Sequence, residues 1–221
     1  MWGGFARVWR REWFAVLGRV LVIFVVTGVV LFPLDARLLE WVRGEVDPGV
    51  KAFAKGLGFW GDFLQFNLGV AGLLYLAGVL RRNPWLRRVA LAFLIGGALS
   101  GATARIVKFS TGRARPSTVE KQDLHWVTFT GPSIKPGFHG YFSGHTAATW
   151  GSAVALAILC PRLGWLAVVF AAGVGWSRMY GNSHFPTDVV HGATWGIAWG
   201  WLVAKGLIPE GRAPRSLPTR R

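Results

Sequence analysis

The residues best suited to chemistry fall in three short clusters between positions 108 and 188. The first runs Lys108-Phe109-Ser110-Thr111-Gly112-Arg113-Ala114-Arg115-Pro116. Arginine presents a planar fork of donors and lysine a mobile point charge, and both suit phosphate oxygens. Pro116 stiffens the chain behind Arg115. The second cluster is Phe142-Ser143-Gly144-His145. Ser143 suits a helix N-cap, and Gly144 lets a backbone N–H approach an anion. A helix starting there would turn its free N–H groups and positive end toward that anion, with His145 as a proton donor. The third cluster runs from Ser177 and Arg178 to His184 and Asp188, with Thr187 as a candidate cap for the helix that follows. Asp188 comes four residues after His184, near enough to hold the imidazole by a hydrogen bond. A carboxylate placed so fixes the ring tautomer and raises its basicity. Taken singly, each cluster has a plainer reading: a solvated basic loop, an interfacial histidine, a helix start.

Taken together, the clusters resemble the type 2 phosphatidic acid phosphatase superfamily, which also includes the vanadium haloperoxidases. That family's pattern is Lys, six residues, Arg-Pro; then Pro-Ser-Gly-His; then Ser-Arg, five residues, His, three residues, Asp. The first and third elements are complete and at the right spacing. In the second, Phe142 stands in place of the proline, which bears on the rigidity of the loop, since Ser143, Gly144 and His145 remain. The resemblance implies an enzyme that hydrolyses the phosphate or diphosphate group of a membrane lipid at the outer, periplasmic face. It makes His184 the nucleophile that forms a phosphohistidine, oriented by Asp188. His145 becomes the general acid, and Lys108, Arg115, Ser143, Gly144 and Arg178 clamp the phosphoryl oxygens. No cofactor is implied. Phosphoryl transfer is catalysed mainly by positioning and by matching charge on the equatorial oxygens. Three fixed cations and two helix N-termini can do this without a metal, and no His/Cys or carboxylate spacing for one is evident. Two other readings share the residues: a non-catalytic protein that binds or transports lipid phosphate, and a haloperoxidase. Anion binding alone needs no proton donor, which counts against the first. Six spans count against the second. Phosphatidic acid, phosphatidylglycerol phosphate, undecaprenyl diphosphate and lipid A phosphates all fit as substrates, as does transfer to a second lipid. Residues 117–142 are expected to build the surface that chooses among them.

The elements that must position these residues are apolar. Of 221 residues, 52% are hydrophobic, and they gather in six segments, at about 14–32, 64–80, 88–106, 145–160, 163–179 and 189–206. About 20 helical residues cross a hydrocarbon core, and lipid leaves no water to satisfy an open backbone. The expected fold is therefore an all-α bundle of six transmembrane helices, with residues 1–208 as one membrane domain and 209–221 as a basic tail. The N-terminal arginines before the first segment resemble a signal peptide, but the stretch is long and lacks a small-residue cleavage site, so a retained span is expected. Gly192, Gly196 and Gly200 put small residues on one helical face, which suits close packing within the chain. Cys160 reads as a small core residue.

Lys and Arg number 25 against 10 Asp and Glu. Without a recognition motif this charge speaks for membrane headgroups, and nucleic acid is not expected as a partner. Arg81, Arg82, Arg87 and Arg88 crowd one loop with no acid, on the same side as both termini if there are six spans. The positive-inside rule then puts the termini in the cytoplasm and the cell inner membrane around the chain. The loop 105–144 faces outward, and its surplus of cations breaks the rule, as a bound anion would explain. His125 and His139 in that loop are candidates for headgroup contact, and His191 is assigned to packing or to supporting the residues around the site. The oligomeric state is not legible.

Overall fold

The computed structural model describes residues 2–207, with side chains from residue 12 onward. Among the described residues the chain is helical, apart from one isolated β-bridge between Arg113 and Phe129. The helices are α1 (Trp2–Leu31), α2 (Asp35–Arg43), α3 (Pro48–Trp60), α4 (Val70–Leu80), α5 (Pro84–Thr111), α6 (Pro116–Gln122), α7 (Gly144–Leu159), α8 (Pro161–Tyr180) and α9 (Pro186–Leu207). A π-helical stretch, Phe63–Gly69, leads into α4. Each of the six apolar segments lies on a helix whose ends fall within a few residues of it, apart from the earlier start of α1. The stretch between the first two apolar segments is not a bare loop, because α2 and α3 fill it, and α6 sits between the third and fourth segments.

Among the described residues, three stretches are long and apolar enough to cross a membrane: Glu12–Arg43, Phe63–Leu80 and Pro84–Thr111. Val22, Val25, Val26 and Val29 of α1 are each more than half exposed, a surface that suits lipid better than water. The chain is thus a multi-pass membrane protein. The tail at 209–221 lies outside the described residues.

Helix α7 is the centre of the bundle, packed against α5, α8 and α9, with α1 on the outer side of α9. Its composition explains this: Ala147, Ala148, Gly151, Ser152, Ala153 and Ala155 are all buried, and small side chains let backbones come close. A Cβ added to Gly192 of α9 would lie 2.7 Å from the Ser143 carbonyl, and one on Gly96 of α5 2.7 Å from that of Gly151. Gly196 and Gly200 meet α7 in the same way, so the glycine spacing serves packing within the chain. Polar clasps cross the same interfaces. Ser100 Oγ donates to the Ala147 carbonyl (2.9 Å), and Ser152 Oγ donates to that of Phe93 (2.6 Å). Cys160 is buried at the end of α7.

This packing gathers the three clusters at one end of the bundle. Lys108 and Arg178 sit in the last turns of α5 and α8, while His145 and Asp188 sit in the first turns of α7 and α9. The start of α7 is tied to that of α9 by the Ser143 N–H, which donates to the Asp188 carbonyl at 2.9 Å.

A candidate active site

The site begins where α5 stops. Gly112 takes a left-handed conformation (φ 58°), and its N–H donates back to the Lys108 carbonyl. A side chain there would be strained, and its Cβ would strike the Gly131 carbonyl. The turn brings Arg113 and Arg115 back toward Lys108. Backbone bonds then hold the strap: Ala114 N–H to Thr128 O, Arg115 N–H to Gly137 O, and Gly140 N–H to Arg113 O, at 2.8–2.9 Å. Ser143 caps α7 as expected, with Oγ accepting from the Thr146 N–H. Phe142, in place of proline, is 1% exposed and packs edge-on against Phe24 and Tyr141. Burial of an aromatic ring thus anchors the loop where a proline would have stiffened it.

His184 is 1% exposed, and its ring Nδ1–H donates to the Gly140 carbonyl at 2.8 Å. The acceptor is a carbonyl, so the proton is on Nδ1 and Nε2 carries the lone pair. The expected hydrogen bond to Asp188 is not made. Asp188 Oδ2 stands 3.7 Å from Nδ1 and instead accepts from the Phe185 N–H at 2.9 Å. That bond has the form of a capping box, in which a first-turn acid reaches back to the residue before the helix. Thr187 is not the cap either. The helix starts at Pro186, whose fixed φ suits the first helical position, so Thr187 is already inside it.

Behind His184 lies a charge cluster the sequence did not disclose. Arg113 is completely buried, with Nη1 2.6 Å from Asp188 Oδ1 and Nη2 2.7 Å from Asp35 Oδ2. Its guanidinium stacks 4.3 Å from the ring centroid of Phe32 and 4.5 Å from that of Phe185. Asp35 Oδ1 accepts the Thr187 N–H at 2.8 Å, satisfying a free donor at the start of α9. Arg113 falls inside the first cluster, between Lys108 and Arg115, which was the available signal. Nothing in the sequence ties Asp35, far upstream, to it.

In front of His184 opens a cavity of about 750 Å³, within the size range of small-molecule sites. Lys108, Arg115, Gly144, His145, Arg178 and His184 line it. Six of the eight expected residues thus face one space, and Ser143 and Asp188 stand behind it. Arg105 and His139 line it too, as does Asp62 from the turn before the π-helix. Lys108, Arg115 and Arg178 make no side-chain ion pair among the described residues, and Nε of both arginines is buried without a partner. Burial disfavours the charged form of His184, and Lys108, Arg115, Arg178 and His145 repel it further. Its pKa is therefore driven well below the ordinary value. His125 is not on the cavity wall. His191 is bonded to Tyr141 and Thr27 and stacked on Phe24, a packing role.

Fold and cavity together define an all-helical membrane protein with a cationic, histidine-bearing pocket at one end. The profile of the PAP2 superfamily matches residues 68–209, and the chain belongs to that family, as the three clusters implied. It is 30% identical over 187 residues to the lipid A 4'-phosphatase of Bacteroides thetaiotaomicron, covering 78% of this chain and 76% of that one. Against the lipid A 1-phosphatase of Rhizobium etli it is 29% identical over 139 residues, 53% of this chain, and spans only 59% of that protein's length. Two crystal structures share the fold. The PAP2-type phosphatidylglycerolphosphate phosphatase of Bacillus subtilis has a TM-score of 0.63 at 20% identity, covering 84% of this chain and 92% of that one. LpxE of Aquifex aeolicus has 0.52 at 19%, covering 77% and 94%.

Proposed function

We propose that the protein hydrolyses the phosphate monoester or diphosphate of a membrane lipid through a phosphohistidine on His184. The observation that carries this is the fixed imidazole. Its Nδ1–H is held by the Gly140 carbonyl, which leaves the Nε2 lone pair for a cavity walled by Lys108, Arg115, Arg178 and His145. In the first step Nε2 attacks phosphorus and the P–O bond to the lipid breaks. The proton on His145 goes to the leaving oxygen. Lys108, Arg115 and Arg178, with the N-terminus of α7 at Gly144, hold the three equatorial oxygens. Water then attacks the phosphohistidine, with His145 taking its proton. Asp188, backed by Arg113, leaves negative charge near the ring and stabilises the imidazolium that forms.

Six membrane-spanning helices with the site at the outer face of the inner membrane complete the reading. Arg81, Arg82, Arg87 and Arg88 lie at the end of α5 opposite Lys108, and basic loops stay in the cytoplasm. The names of the relatives put lipid A phosphates first on a substrate panel, with phosphatidylglycerol phosphate second. The test is phosphate release by the purified chain from that panel in EDTA, with His184→Ala as control. Release that survives EDTA and disappears in the variant is expected. Release that persists in the variant, or unchanged headgroups throughout, would sink the proposal, and the second would favour a lipid-binding protein.

A further inference from the structure

Asp62 is the one acidic side chain on the cavity wall among the described residues. Its place there is costly. A carboxylate beside Lys108, Arg115, Arg178 and Arg105 repels the phosphate those cations would hold. It lies upstream of the stretch that matches the family, 68–209, and belongs to none of the three clusters. Its Oδ2 stands 3.2 Å from Nε2 of His145, while Oδ1 accepts from the Leu64 N–H at the start of the π-helix. The carboxylate is thus within ion-pair distance of the histidine, with its other oxygen in a long bond to the backbone (3.4 Å).

Building on the function proposed above, we infer that Asp62 is a positioning residue that keeps a proton on His145 inside a cationic cavity, at the expense of phosphate affinity. The groups facing His145 are Lys108 from α5, Arg115 from the strap after it, Arg178 from α8 and His184 from the segment before α9. Three of these are cations. A protonated imidazole among them is disfavoured, yet an alkoxide leaving phosphorus needs that proton. Asp62 supplies the opposing charge at Nε2 until the leaving oxygen takes the proton. Binding and turnover are then set against each other. Without the carboxylate, phosphate is attracted more strongly while the acid is less often protonated. A residue that merely shaped the pocket would weaken both when lost.

Asp62→Asn in the full chain, purified in detergent, separates these outcomes, because it keeps the shape and the backbone bond and removes the charge. With the lipid phosphate that the wild type turns over fastest, kcat is expected to fall about tenfold or more. The inhibition constant of inorganic phosphate should stay level or drop, and the alkaline limb of kcat should move to lower pH. Asp62→Glu should recover part of the rate. Wild-type kcat with an unmoved limb, or a phosphate constant that rises as kcat falls, overturns the inference. A readout independent of turnover is the imidazole titration of His145 by NMR, assigned with His145→Gln. Its midpoint drops in Asp62→Asn if the inference holds, and an unmoved midpoint refutes it. Full activity in His184→Ala would instead remove the reading of the site and leave the titration result standing.

Discussion

Two groups of charges meet at His184, and the fold treats them in opposite ways. Behind the ring, Arg113, Asp35 and Asp188 are fully buried and paired at 2.6–2.7 Å. In front, Lys108, Arg115 and Arg178 share a wall of an open cavity and make no side-chain ion pair among the described residues. Removing one partner of a buried pair leaves a charge that neither water nor protein can satisfy. The rear group therefore has to find its partners within the fold. The front group is left without such a partner among the described residues, as the proposed function requires of groups that bind a phosphate. Under the function proposed above, similar residues fix the shape of the site at the rear and hold an anion at the front, and burial with pairing tells the two roles apart.

The contrast can be broken by exchanging which side is damaged. Arg113→Met should cost about 3–5 kcal/mol of stability, because two buried carboxylates lose their shared cation. The thermal midpoint in detergent reports it. Arg178→Gln at the front should leave that midpoint nearly unchanged and lower kcat/KM about 10²–10³-fold, the usual loss of one group stabilising transition-state charge. If the front variant melts early and the rear one does not, the division of labour is wrong.

Acidity sharpens the same comparison. An imidazole held below its ordinary value of about 6.5 stays neutral, and so nucleophilic, into mildly acidic solution. The acid limb of kcat/KM that belongs to His184 should lie below pH 6.5. Stability follows the same sign. As pH falls below about 6.5 the unfolded chain binds a proton at this position that the folded chain refuses, so His184 contributes a loss of stability on acidification. Denaturation monitored between pH 8 and pH 5 tests it. The smallest effect is expected at the surface: Arg43 and Glu120 pair at 2.9 Å but are 27% and 56% exposed, and Arg43→Ala should change stability by no more than about 1 kcal/mol.

The front of the site was legible in the sequence, and the rear largely was not. Lys108, Arg115, His145, Arg178 and His184 lie at motif spacing on helix ends. A helix terminus at the edge of an apolar segment can be read from caps and composition, as Ser143 was. The partner of His184 could not be read this way. A carboxylate four residues along looks like its orienting group, but the ring bonds to the Gly140 carbonyl, which any residue could supply, and Asp188 is drawn off by Arg113 and the Phe185 N–H. Asp35 and Asp62 lie between the first two apolar segments and belong to none of the three clusters. Long-range packing of α2 and α3 against the bundle decides their partners, and local pattern does not encode it. The π-helical stretch at Phe63–Gly69 carried no signal of its own either. The six apolar segments, by contrast, gave their helices to within a few residues, apart from the start of α1, because burial in lipid or in α7's surroundings demands continuous apolar sequence.

The most direct test of the central claim is to trap the reaction halfway. Radiolabelled lipid phosphate mixed with the purified chain and quenched in alkali, where phosphohistidine survives, should leave label on the protein in an acid-labile form. Peptide mapping should place it on His184, with none in His184→Ala. Steady phosphate release without label on the chain, or label that maps to another residue, would contradict the account.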